Sequence, residues 1–185
     1  MLKTLRGFSL VELMIGIAIF IILVALATPN FSTWIINAKI RTTAESIQAG
    51  LQLARAEAVR RNAAVLFQLI NSTDDSCDLS TNGPHWVVSM GTAKNKCGTG
   101  PGIIQLRNGT EGSDSRTAVL AGLSSVVFNG LGRLSSTSAP TAIDISNSAA
   151  GQSCDKVRCL RIEVTGAGQI RMCDPALPAT DTQGC

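Results

Sequence analysis

Residues 7–28 read GFSLVELMIGIAIFIILVALAT, a stretch in which Glu12 is the only charged residue. An apolar run of about 20 residues is long enough to cross a bilayer as one helix. The short segment before it is basic, which favours retention on the cytoplasmic side. We therefore predict a leader over residues 1–7 and a membrane-spanning helix over residues 8–28.

Two processing routes fit this layout. In the first, the leader and the apolar run form an ordinary secretory signal, with Ala25-Leu26-Ala27 as its small-residue cleavage site. In the second, only the leader is removed and the apolar run is retained. Glu12 favours the second route, because a carboxylate inside a bilayer costs about 2.5–3.5 kcal/mol. A signal peptide that is cleaved off and discarded has no use for a carboxylate that makes its insertion unfavourable.

Cleavage between Gly7 and Phe8 would create a charged partner for Glu12. Phe8 then carries a free, cationic amino group, four residues before the carboxylate on the same helix. Glu12 can pair with the corresponding ammonium of a neighbouring subunit. Such a pair removes two isolated charges from the apolar interior of an assembly and sets the axial register between subunits.

These residues resemble a known family. Gly7-Phe8-Ser9-Leu10-Val11-Glu12-Leu13 is similar to the signal of type IV pilins and type II secretion pseudopilins. The resemblance implies cleavage after Gly7 by a prepilin peptidase, N-methylation of Phe8 and an assembly role for Glu12. It implies other pilins or pseudopilins as partners, and the inner membrane as the location of the subunit before assembly.

The helix is expected to continue beyond the apolar run, over residues 29–63. Pro29 stands where pilins commonly carry a helix-kinking proline, and a proline lacks the N–H that a helix interior needs. An apolar stripe with helical spacing follows, which predicts one face packed on a globular domain. Its members are Ile36, Ile40, Ala44, Ile47, Leu51, Ala54 and Ala58.

Residues 64–185 read as a β-rich head. The helical period ends, and short β-branched or alternating runs appear between Gly, Ser and Asn clusters. The Thr165-Gly166-Ala167-Gly168 turn predicts a C-terminal antiparallel hairpin. Seven strands are expected, over 64–70, 86–90, 103–107, 124–129, 142–146, 160–165 and 169–172. The fold class is therefore α+β: a long N-terminal helix, half membrane-spanning and half amphipathic, packed on this head.

All six cysteines follow the apolar run, which predicts disulfides formed in an oxidising, periplasmic compartment. A zinc site is the rival interpretation, but the sequence has no C-x-x-C pair and a single histidine, His85. We expect no metal and no cofactor. Sequence alone does not fix the pairing. The spacing suggests one arrangement: Cys77 with Cys97, Cys159 with Cys173, and Cys154 with Cys185.

Charge and motifs argue against an enzyme. Removal of Lys3 and Arg6 with the leader lowers the net charge from +3 to +1, so no global field attracts polyanions. We find no phosphate-binding loop or dinucleotide fingerprint. His85 has no recognisable acid or nucleophile partner and is interpreted as a structural histidine. No catalytic residue is assigned.

The head also resembles one branch of the family. Residues 126–133 (VVFNGLGR), 160–164 and 168–175 (GQIRMCDP) are similar to FimT/FimU minor pilins and GspH-type pseudopilins. The resemblance implies a minor pilin that primes or caps a type IV pilus. The alternative is the H-type pseudopilin of a type II secretion system.

A third function, a DNA receptor for natural transformation, rests on the C-terminal hairpin. FimT-like proteins that bind DNA carry Gly-Arg-x-Arg there, whereas this chain has Gln169 in place of the first arginine. The phosphate-binding candidates are Arg171, Arg161, Arg158 and Lys156. Four acidic residues in the same segment balance them, so solvated strand charges are the simpler interpretation.

Overall fold

The structure is a computed structural model that describes residues 8–97, 100, 102–111, 113, 117–135, 141–147, 154–155 and 157–185, with the backbone alone for residues 26–30. The chain divides into two compact units, Met1–Ile35 and Ile36–Cys185. The first contains the beginning of the single long helix. The second contains the rest of that helix together with the strands.

One helix precedes a set of short strands. Helix α1 comprises Leu10–Arg61. The strands in the described residues are β1 (Val65–Ile70), β2 (His85–Ser89), β3 (Ile103–Arg107), β4 (Thr117–Ala121), β5 (Ser125–Phe128), β6 (Thr141–Asn147), β7 (Leu160–Val164) and β8 (Ile170–Cys173).

Helix α1 ends in a Schellman motif. Asn62 adopts a left-handed φ of 47°, a conformation that asparagine tolerates better than most side chains. The Asn62 N–H donates to the Val59 carbonyl and the Ala63 N–H to the Ala58 carbonyl, each at 3.2 Å. The helix therefore stops close to the predicted boundary, for a reason that can be read from the local sequence.

The strands form two four-stranded antiparallel sheets. One has the order β3-β2-β1-β5 and the other the order β4-β6-β7-β8. The predicted α+β class, with a long helix on a β-rich head, is confirmed.

The C-terminal hairpin is present as β7 and β8, which pair from Val164↔Ile170 to Arg161↔Cys173. Gly168 closes its turn with a left-handed φ of 79°.

The amphipathic stripe of α1 forms one side of the core. Six of its seven members are completely buried, and Ile36 packs against them from the margin. Facing them are apolar side chains of both sheets, including Phe67, Phe128 and Ile162. Gly50 permits the close approach of helix and sheet, because a Cβ there would lie 2.8 Å from the Phe67 ring.

Strand β4 was missed by the sequence prediction. Its sequence, TAVLA, has two alanines among five residues, and alanine is depleted in strands. The strand is held instead by its register with β6, in which Val119 faces Ile145. Burial of Val119 in the core supplies the stabilisation that local propensity does not.

All six cysteines form disulfides, as predicted, but two of the three expected pairs are wrong. Cys77 bonds Cys97, as expected. The other bonds are Cys154–Cys159 and Cys173–Cys185. The reason is the hairpin register: Cys173 lies opposite Arg161, two residues beyond Cys159. The diagonal distance between such positions on paired strands is about 7–8 Å, which exceeds the Cα separation of about 7 Å that a disulfide allows.

Candidate functional site

The N-terminal unit exposes apolar side chains on every side of the helix. Phe8 is 85% exposed and Phe20 is 66% exposed, and the apolar residues between them are exposed as well. An uncovered apolar surface of this kind is typical of a segment that binds lipid or other apolar helices. No helix in the described ranges is both long and apolar enough to qualify as a membrane span.

Glu12 lies in the first turn of α1, among these apolar side chains. It shares a shallow groove with Phe8, four residues earlier in the chain; the other lining residues are Leu13, Gly16, Ile17 and Phe20. A carboxylate in the first turn is stabilised by the helix dipole. The groove therefore presents one carboxylate and two aromatic rings, those of Phe8 and Phe20, on the same exposed face.

Two of the residues singled out by the sequence analysis have no described side-chain environment. Gly7 lies outside the described residues, and for Pro29 only the helical backbone is described. Helix α1 is assigned without interruption across Pro29. The kink at that residue stays a prediction.

The candidate phosphate-binding arginines of the C-terminal hairpin are all paired with carboxylates. Arg161 Nε donates to Asp144 Oδ1 at 2.7 Å, and this hydrogen bond raises the pKa of the guanidinium. Arg171 Nη2 lies 3.2 Å from Glu163 Oε2. Arg158 Nε lies 3.0 Å from Asp174 Oδ2. The fourth candidate, Lys156, is outside the described residues.

The sheet register explains two of these pairs. Asp144 on β6 is directly opposite Arg161 on β7, and Glu163 on β7 is directly opposite Arg171 on β8. Opposite charges at facing positions stabilise a sheet. Arg161 and Arg171 therefore have carboxylate partners on neighbouring strands, and Asp144 is one that the sequence analysis did not name.

A different pair of arginines is uncompensated. Among the described arginines, only Arg55 and Arg133 have no carboxylate within ion-pair distance. Arg55 Nε donates to the Gly132 carbonyl at 3.1 Å, and the exposed Arg133 directly follows Gly132 in the chain. The adjacent Leu131 is 77% exposed. Sequence analysis did not find the contact of Arg55 with this loop, because it depends on the packing of Gly132 on α1.

The described residues contain no metal centre of the usual kind. Their one cluster of potential ligands is Glu163, Cys173 and Cys185, and its two cysteines are bonded to each other. A disulfide offers no thiolate to a metal ion. His85 accepts a hydrogen bond from the Gly109 N–H at 3.3 Å, which is a structural role at the start of β2.

Comparisons with known proteins give two family matches. The model described as Type II transport protein GspH matches residues 43–168. The model described as the prokaryotic N-terminal methylation motif matches residues 3–28. No curated protein sequence matches the chain significantly.

Solved structures share the fold. Two crystal forms of the type IV minor pilin FimU of Pseudomonas aeruginosa strain PAO1 align with TM-scores of 0.53 and 0.52, at 17% and 16% identity. The alignments cover 77% and 76% of this chain and 90% and 94% of those chains. The minor pseudopilin EpsH of the Vibrio cholerae type 2 secretion system aligns with a TM-score of 0.45 at 18% identity, over 76% of this chain and 99% of that one.

Proposed function

Because the chain belongs to the Type II transport protein GspH family of pilin-like structural subunits, we propose that it is a minor pilin that primes or caps a type IV pilus. The observation that carries this proposal is the exposed apolar surface of residues 8–25 with Glu12 as its one charge. Neighbouring pilin helices would cover that surface in a filament. The Phe8 ammonium of an adjacent subunit would pair with Glu12.

The proposed life history has two stages. Before assembly, residues 8–28 span the inner membrane and the head lies in the periplasm. Three disulfides in the head support this location, because such bonds persist in oxidising compartments. A prepilin peptidase then cuts between Gly7 and Phe8 and methylates Phe8, and the subunit enters the filament.

Mass spectrometry of the subunit in sheared filaments tests this proposal. The expected N-terminal peptide begins at Phe8 and carries one additional methyl group. A peptide that begins after Ala27 would instead identify an ordinary secretory signal and would overturn the retained-helix account. Absence of the subunit from every filament preparation would overturn the filament role.

The H-type pseudopilin of a type II secretion system is the second candidate. The description of the family favours it, since it names type II transport. The two roles differ in their phenotype. Loss of a priming pilin reduces surface pili, whereas loss of a pseudopilin blocks export of secreted proteins and leaves pili intact.

A DNA receptor is the third candidate and has the weakest support. Arg158, Arg161 and Arg171 each bond a carboxylate, so their charge is already compensated. The test compares Arg171→Ala with Arg133→Ala in a DNA-binding assay at low salt. Unchanged affinity in both variants would end this candidate; a loss only in Arg133→Ala would move the DNA surface to the α1 side of the head.

A further inference from the structure

Phe31 and Trp34 form a stacked aromatic pair in the N-terminal unit. Their ring centroids lie 5.9 Å apart and their planes differ by 23°. The spacing of three residues places both on one face of α1. Phe31 is 60% exposed and Trp34 is 66% exposed, so the two rings pack mainly on each other.

The pair lies where the sequence changes from apolar to polar. The uninterrupted apolar run ends near Thr28, and Asn30, Ser32 and Thr33 lie around the two aromatic residues. At 1.5 Å per residue, the rings follow the end of the run by about 4 Å and 9 Å along the helix. That distance corresponds to the headgroup region of a bilayer whose apolar core contains the run.

The second tryptophan shows what a tryptophan with a core role looks like here. Trp86 is 3% exposed, packs on Phe67 at 5.7 Å and donates its indole N–H to Ser46 Oγ at 3.1 Å. Trp34 also stacks on a phenylalanine, but it is 66% exposed, and within the described ranges its indole N–H has no acceptor. An apolar ring with a free N–H suits a boundary that is apolar on one side and hydrated on the other.

We propose that Phe31 and Trp34 form an interfacial anchor that binds the headgroup–acyl boundary of a phospholipid bilayer. The inference rests on the proposed function, which places residues 8–28 in the inner membrane before assembly. Aromatic side chains concentrate at this level of a membrane. The anchor fixes the depth of the apolar run in the bilayer. It thereby holds Glu12 of each subunit that has not yet been assembled at a defined depth in the membrane.

The test uses the intrinsic fluorescence of Trp34. The full-length chain with Trp86→Phe has Trp34 as its sole tryptophan. It is reconstituted in vesicles of three parts phosphatidylethanolamine to one part phosphatidylglycerol, with part of the lipid brominated either near the headgroup or near the chain ends. We expect shallow bromines to quench Trp34 at least about twofold more strongly than deep bromines, as for an interfacial ring.

A matched control gives the depth scale. Phe20 lies near the middle of the apolar run and is as exposed as Trp34. In the chain with Trp34→Phe and Trp86→Phe, Phe20→Trp moves the reporter to that position, where deep bromines should quench it more strongly. If Trp86→Phe impairs folding, the chain that retains Trp86 is compared with its Trp34→Phe variant, and the difference gives the Trp34 signal.

The outcomes separate the anchor from the membrane insertion on which it rests. Deep quenching at position 20 with shallow quenching at Trp34 supports the anchor. Deep quenching at position 20 with none at Trp34 would support membrane insertion of the apolar run but overturn the anchor. Phe31 and Trp34 would then be assigned to contacts between subunits. Failure of every variant to float with the vesicles would overturn both proposals.

Discussion

The two parts of α1 differ in the exposure of their apolar side chains. In the N-terminal unit Phe20 is 66% exposed, whereas in the head unit Leu51 is 0% exposed. Both residues belong to the same continuous helix, so helix formation alone does not account for the difference. In the first part the apolar residues surround the helix axis; in the second they form one stripe.

This difference shows where each part obtains its stabilisation. The stripe of the second part is covered by the two sheets of the same chain. Among the described residues of the N-terminal unit the first part has no such cover, so its apolar surface is available to lipid and to neighbouring subunits. Stability is therefore expected to depend on the head half of α1, and assembly on the N-terminal half.

The largest effect on filament assembly is expected from a substitution at Glu12. In the proposed filament, replacement by alanine would leave the Phe8 ammonium of a neighbouring subunit unpaired in an apolar interior, at a cost of about 3–5 kcal/mol. We therefore expect Glu12→Ala to reduce incorporation into sheared filaments by at least about 100-fold, measured by immunoblot, with an unchanged Tm of the head. Glu45→Ala is the control, since Glu45 makes an exposed pair with Arg41 on the same helix. Equal incorporation of Glu12→Ala and wild type would contradict the assembly role.

A second prediction concerns the head half of the same helix. Leu51→Ala should lower the free energy of unfolding of the head by about 2–5 kcal/mol, because it leaves a cavity in a fully packed core. Leu13→Ala, at an exposed apolar position, should leave that free energy unchanged. Denaturant titration of the full chain in mild detergent, followed by the fluorescence of the buried Trp86, measures both. Similar destabilisation by the two variants would show that the units do not divide stability and assembly in this way.

A third prediction compares the stability that two disulfides give to the head. Cys77 and Cys97 are 20 residues apart, and Cys154 and Cys159 are 5 residues apart. Since loop-closure entropy rises with loop length, replacing the first pair by serine should cost about 3 kcal/mol and the second about 2 kcal/mol. The same titration compares the two double variants. A larger loss from the shorter loop would show that local contacts outweigh chain entropy.

The smallest effect is expected at Glu57, on the exposed side of the helix. Hydrogen bonds from Arg60 and then Arg61 lower the pKa of its carboxyl from 4.5 to about 2. A lowered pKa in the folded state adds stability above the unfolded pKa, and that stability is lost as pH falls towards 2. Glu57→Gln should therefore lower the Tm slightly at neutral pH, and the difference should disappear near pH 2. A difference that persists at pH 2 would assign it to something other than the ionised carboxylate.

Periodicity predicted the parts of the fold that depend on local sequence. The stripe from Ile40 to Ala58 and seven of the strands were found because burial repeats with the period of a helix or a strand. Strand β4 was missed, since Val119 is held by its partner strand and not by its own propensity. The position of Cys173 opposite Arg161 likewise required a register that the sequence does not specify.

The candidate site divides in the same way. Glu12 could be identified from sequence, because a lone carboxylate in an apolar run is costly wherever the run is buried. The pairing of Arg161 with Asp144, 17 residues away, could not, since it depends on which strands are neighbours. The spacing of Phe31 and Trp34 at the end of the apolar run was readable from the sequence, but their stacking and exposure required the structure.

Deletion of the gene in its source organism tests the central claim, a filament subunit that acts in pilus priming through its N-terminal helix. The measurement is the amount of pili sheared from the cell surface. We predict a sharp loss that the wild-type gene restores and the Glu12→Ala gene does not. Normal piliation together with normal type II secretion in the deletion strain would contradict the filament account, whereas normal piliation with blocked secretion would establish the pseudopilin alternative.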